Sequence, residues 1–170
     1  MRHAGPALAL AAAVLGACAS TQQTASDPAP ADAREPGDMV GIGGVFFRSS
    51  DTAATQRWYT EHLGMPPGGP GFALIFWTDP ETDEYYSTTW SPFPRDSDYF
   101  GLDQQYMLNY IVNDLDAALA RLRAAGARID DDKGIETYPN GRFAWFWDPE
   151  GNKAELWEPD RAFFRENLGR

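Results

Sequence analysis

Two stretches of this chain repeat one another. Phe72-Ala-Leu-Ile-Phe-Trp-Thr-Asp-Pro-Glu in the first half is answered by Phe143-Ala-Trp-Phe-Trp-Asp-Pro-Glu in the second, and Trp90-Ser-Pro by Trp157-Glu-Pro. Asp51 and Asp114 correspond too, each closing a strand-like run and opening a helix. Such a repeat restricts the chain to folds that use one unit twice. The unit reads strand, helix, then two or three strands. A parallel pair with a helical crossover, followed by antiparallel strands, gives a mixed sheet with helices on one face. The expected fold is α+β: two tandem βαβββ modules, about 40–95 and 104–159, forming a curved mixed sheet around a cavity with the helices outside.

The local signals agree with that unit. Val40 to Phe47 reads as a strand; Asp51 caps a helix from Thr52 to Leu63 that stops at Gly64. Phe72 to Trp77 and Glu84 to Trp90 are strands around an Asp79–Asp83 turn, and Phe93 to Asp103 is a lid-like loop. Gln105 to Val112 and a helix from Leu115 to Ala125 open the second unit, with a short strand at Ala127 to Ile129. Phe143 to Trp147 and Lys153 to Trp157 then form a hairpin through the turn residues Asp148 to Asn152. A last helical segment falls around Ala162 to Leu168, within a C-terminal piece at 161–170.

What precedes the repeat has a different character. Met1-Arg2-His3 followed by the small apolar run Ala7 to Ala17 reads as a signal peptide at 1–17, too short to span a bilayer as a helix. Leu15-Gly16-Ala17-Cys18 resembles a bacterial lipobox, and Cys18 is the sole cysteine, so no internal disulfide competes for it. The alternative is an ordinary secretory signal that leaves a free thiol. Residues 18–38 hold no aliphatic larger than Ala in their Ala/Ser/Thr/Gln/Pro/Asp stretch and read as a disordered tether with a reach of about 25 Å. The expected location is the bacterial envelope: lipid-anchored through Cys18 and, since Ala19 follows it, on the inner leaflet of the outer membrane facing the periplasm. Without Arg2 the chain carries 13 Lys and Arg against 25 Asp and Glu, which argues against nucleic acid as a partner.

The doubled unit, Trp58-Tyr59 with Leu63-Gly64, and Asp148-Pro149-Glu150-Gly151-Asn152 with Glu155-Leu156-Trp157-Glu158-Pro159 resemble the vicinal oxygen chelate superfamily. This is also called the glyoxalase, bleomycin-resistance and extradiol dioxygenase superfamily. The resemblance covers Val40 to Pro159, within a domain at 39–160. In metal-using relatives each module supplies one ligand from its first strand and one from its last. Here those places hold Gly44, Thr88, Met107 and Glu155, of which only Glu155 is a usual ligand for a divalent ion. His62 falls on the first helix and reads as a surface residue. No cofactor is expected; a divalent metal is the runner-up.

Two readings of Glu155 stand: a sheet-face acid neutralised by Lys153, or a buried acid that contacts a ligand or serves as general base. Strand alternation places Phe46 and Arg48 beside Gly44, Tyr86 and Trp90 beside Thr88, and Asn109 beside Met107. Lys153 and Trp157 flank Glu155, and Trp145 and Trp147 share a face of the adjoining strand. These residues either fill a core or line a cavity suited to a planar or cationic organic ligand. Three functions follow from the resemblance and the residues: a metal-free binding module for a small organic molecule; a lyase, isomerase or dioxygenase that uses Glu155; or a docking module for another envelope protein. Two modules in one chain complete a cup alone, and a homodimer stays open.

Overall fold

The computed structural model describes residues 34–66 and 68–168. Cys18, the signal segment and the tether as far as residue 33 lie outside the described residues. The first module comprises β1 (Met39–Ser49), α1 (Thr52–Leu63), β2 (Ala73–Thr78) and β3 (Tyr85–Pro94). The second comprises β4 (Tyr106–Val112), α2 (Leu115–Ala124), β5 (Arg128–Ile129), β6 (Glu136–Tyr138), β7 (Gly141–Trp147) and β8 (Lys153–Pro159), and α3 (Arg161–Leu168) closes the chain. The caps are local and strong. The Asp51 carboxylate accepts from the Ala54 N–H at 2.8 Å and the Asp114 carboxylate from the Ala117 N–H at 2.9 Å. In the β7–β8 turn the Asp148 carboxylate accepts from the backbone N–H groups of Glu150 and Asn152 at 2.9 and 2.8 Å. β6 is the one strand that the sequence pattern does not announce.

The strands form one curved, mixed, eight-stranded sheet in the order β2-β3-β1-β4-β8-β7-β5, with β6 on β7. β1 runs parallel to β3 and β4 parallel to β8, each pair spanned by a helical crossover. The modules join where β1 and β4 pair antiparallel, Gly44 opposite Asn109 and Phe46 opposite Met107. Gly44 stands to Asp51 as Met107 stands to Asp114, so these pairs exchange under the repeat. The fold is the expected α+β doubling.

Both sheet faces are apolar, and both are covered. On one side α2 packs on Val112, Ala144 and Leu156, while Tyr59 of α1 packs with Phe47, Ala73 and Trp90. The other, inner face holds Phe46, Met107 and Trp145 under Phe100, and Tyr86, Ile111 and Trp157 under Phe164 of α3. Sequence alone leaves this face open around a cavity with every helix outside. In the structure the β3–β4 loop and α3 pack over it, which keeps its rings from water.

The folded unit also starts earlier than its apolar pattern. Arg34, in the stretch read as tether, donates to Asp79 and pairs with Glu81 at 3.0 Å; Asp38 pairs with Arg121 at 2.7 Å. The Gly37 N–H donates to Asn113 at 2.7 Å, and with φ at 87° a side chain there would meet the α2 backbone. Ion pairs and backbone contacts, rather than buried aliphatics, hold Arg34 to Asp38. The Arg34 guanidinium beside Asp79 lowers that carboxyl to about 2.

Candidate functional site

One row of residues crosses the inner face through four strands: Gly44 of β1, Asn109 of β4, Glu155 of β8 and Trp145 of β7. Glu155 sits at its centre, 2% exposed. Its carboxylate accepts from the Tyr99 hydroxyl at 2.5 Å, the Asn109 Nδ2 at 2.7 Å and the Trp145 Nε1 at 2.9 Å. Burial pushes the carboxyl above its ordinary range; the three donors and the charge of Lys133 pull the other way. Burial and the neighbouring Glu155 charge raise the Tyr99 phenol in turn.

Above this row lies a cation that sequence reasoning missed. The Lys133 Nζ is 3.3 Å from the centroid of the Trp145 ring and 4.8 Å from that of Tyr99. Its partner carboxylate oxygen, on Glu136, is 3.8 Å away. A turn holds it there: the Asp130 N–H donates to the Trp145 carbonyl at 2.9 Å and the Asp130 carboxylate accepts from the Lys133 N–H at 3.3 Å. Lys153, expected to neutralise Glu155, is paired with Asp130 at 2.8 Å instead. It stands 5.3 Å from the Trp147 ring, whose face also carries Arg128 at 3.7 Å.

Arg48 faces inward but has no donor to offer a ligand. Its guanidinium donates to the carbonyls of Arg95, Ser97, Phe100, Gly101 and Gln104 at 2.7 to 3.0 Å. It therefore fixes the β3–β4 loop, read as lid-like, as a cap whose Tyr99 and Phe100 reach into the sheet. Phe46 and Met107 lie beneath those rings. Tyr86 and Trp157 belong to the neighbouring cluster under α3, where Arg161 donates to the Tyr86 hydroxyl and the Trp157 Nε1 donates to the Asn140 carbonyl at 3.0 Å. Burial pushes the Tyr86 phenol up to about 12.

Two expectations are corrected. Trp90 packs with Phe47, Ala73 and Tyr59 on the helix side and is not part of the inner face. Thr88 donates to the Ile42 carbonyl and accepts from Trp77 Nε1, joining strands. The cause is register. Asn109 pairs with Glu155, and Phe46, its counterpart in the repeat, pairs with Ser91. Matching Trp90 to Trp157 therefore slips the alignment by an odd number of residues, which exchanges the faces. Tyr86 does join the inner cluster with Ile111 and Trp157: it stacks on Trp77, whose ring lies against the bare backbone of Gly41, next to the irregularity of β1 between Ile42 and Gly44.

A divalent metal, which the fold family implies, does not fit this donor set. The four places hold Gly44, Ser91, Met107 and Glu155, and the last already accepts from three side chains. Among the described residues no three His, Cys, Asp or Glu side chains gather. His62 is exposed on α1 against Trp58. A surface cleft of about 770 Å³ opens elsewhere, between the C-terminal end of α2, Arg128, Trp147 and Gln104. It does not reach Glu155, and the polar convergence at Glu155 is the better guide to chemistry.

Comparison with known proteins agrees with the architecture. The sequence model of the Glyoxalase/Bleomycin resistance protein/Dioxygenase superfamily matches residues 41–156. No curated protein matches the sequence. Among solved structures, methylmalonyl-CoA epimerase in complex with methylmalonyl-CoA and ammonium is similar at 16% identity over 72% of this chain and 96% of that one, with a TM-score of 0.53. A Streptomyces coelicolor methylmalonyl-CoA epimerase variant in complex with 2-nitronate-propionyl-CoA is similar at 18% identity over 72% and 99%, with a TM-score of 0.52. At these identities the likeness is one of fold. With the family's sequence model covering most of the doubled unit, the chain belongs to the Glyoxalase/Bleomycin resistance protein/Dioxygenase superfamily.

Proposed function

We propose that this glyoxalase-like domain is a metal-free binding module for a small aromatic or cationic molecule, held at a bacterial envelope by a lipid on Cys18. One observation carries the reading. The inner face gathers the rings of Phe46, Tyr99, Phe143 and Trp145 around one buried carboxylate, at the place where relatives assemble a metal. Ring faces attract cations and stack on flat ligands, and the buried acid supplies the opposite charge. The lipobox-like Leu15 to Cys18 and the apolar-poor stretch after it support the anchor and the tether. Cys18→Ser releasing the domain from membranes is the expected result, and retention would remove the anchor from the proposal.

An isomerase or lyase that uses Glu155 as base is the competing reading. Its support is the raised proton affinity of Glu155 beside the Tyr99 hydroxyl. Against it, three side-chain donors already converge on the two carboxylate oxygens and the group is buried, which gives a substrate no open approach to the base. A thermal-shift titration in the presence of a chelator separates the two. The binding module predicts a saturable rise in Tm with indole or benzyltrimethylammonium. No rise with either probe contradicts it.

A further inference from the structure

The inner face has three covers, and they are held very differently. The β3–β4 loop is fixed by the five bonds of Arg48, and by Gln104, which exchanges hydrogen bonds with the Lys153 backbone at 2.7 and 2.8 Å. α3 is fixed by Arg161 on Glu84 and Tyr86 and by Phe164 against Trp157. The third cover is the ammonium of Lys133. It rests on the Trp145 ring, its carboxylate neighbour is beyond hydrogen-bond reach, and its side chain is 26% exposed. A single ammonium resting on a ring face is a far weaker hold than five charge-assisted hydrogen bonds. Lys133 is the cover that gives way.

We infer that Lys133 is a resident stand-in for the cationic group of the ligand: an organic ammonium displaces it, settles on the Trp145 and Tyr99 rings, and leaves along the course of the lysine stem. The inference rests on the binding reading above and narrows its ligand class to organic cations. The electrostatics choose the sign. Glu155 lies at the N–H and O–H edges of the two rings and Glu136 lies beside the Lys133 ammonium, while Lys153 is already paired with Asp130. A neutral guest would send the Lys133 charge into water and leave that acidic field without a partner. A cationic guest restores the charge it removes. The chain's formal net charge of −11 favours the approach of such ligands as well.

The test uses the purified chain, benzyltrimethylammonium and its uncharged isostere neopentylbenzene, followed by calorimetric or tryptophan-fluorescence titration. Lys133→Met keeps the stem and removes the competing charge; affinity for the cation should rise about tenfold over wild type, with a smaller gain for the isostere. Lys133→Arg refills the cage, so its affinity should be no higher than that of wild type. In the wild-type chain the Lys133 ε-methylene signals, shielded by the Trp145 ring, should move to ordinary positions at saturation. A cation affinity unchanged by Lys133→Met, or equal gains for cation and isostere, overturns the stand-in while leaving the binding module in place. If neither the cation nor the isostere binds the wild-type chain or Lys133→Met, the binding reading itself is overturned.

Discussion

Asn109 gives one end of its amide to Glu155 and presses the other, with no donor in reach, against Gly43. A Cβ at residue 43 would lie 2.2 Å from that oxygen and within 3 Å of Trp157 and Ile111. Gly43→Ala should therefore cost about 1 to 3 kcal/mol of stability, read from denaturant midpoints at unchanged m. Glu155 makes a pH-dependent prediction. Its folded pKa is raised above 4.5, so its contribution to stability is complete below that pH and is lost as pH rises through the folded value. Measured between pH 4 and 8, the stability of Glu155→Gln relative to wild type should improve as pH rises. A difference that is flat, or that runs the opposite way, contradicts the raised value. Alternation along β8 sets Glu155 on the face opposite Ala154 and Leu156 but leaves open whether that face is buried. Its partners were not legible: Tyr99 comes from an irregular loop 56 residues away, and Lys133 from a turn, and neither carries a periodic signal.

At the level of elements, one side chain decides whether the β3–β4 loop is a lid or a cap. Arg48 can bind five carbonyls because its planar guanidinium has five N–H donors, and an ammonium has only three. Arg48→Lys should keep the sheet and speed hydrogen exchange of the 99–104 amides by about tenfold or more, with β4 and β8 unchanged. Exchange that is equally slow in both chains would mean that Phe100 and Tyr99 hold the loop by themselves. The helix caps, the hairpin turn and most strands were readable because their determinants are local. Trp90 was misassigned because Trp90-Ser-Pro and Trp157-Glu-Pro match in sequence, whereas strand pairing matches Ser91 to Glu155. In a period-two structure that slip reverses the face. The start of the domain escaped for another reason: Arg34 and Asp38 are held by ion pairs, which leave no hydrophobic pattern.

For the whole molecule, the doubled unit explains both what the chain keeps and what it lacks. Two modules meeting at β1 and β4 bring four strands to one inner row, which passes through Gly44 and Glu155, two of the four places where metal-using relatives hold a ligand. Here the row reads Gly44, Asn109, Glu155, Trp145, and the carboxylate is committed to an amide, an indole and a phenol. On the binding reading proposed above, that row serves an organic cation in place of a metal-bound oxygen ligand. Elemental analysis of the chain, purified without added chelator, tests this most directly. The account predicts no stoichiometric Zn, Fe, Mn or Ni, and no change in metal content on Glu155→Gln. One equivalent of a divalent metal that disappears with that substitution would contradict it.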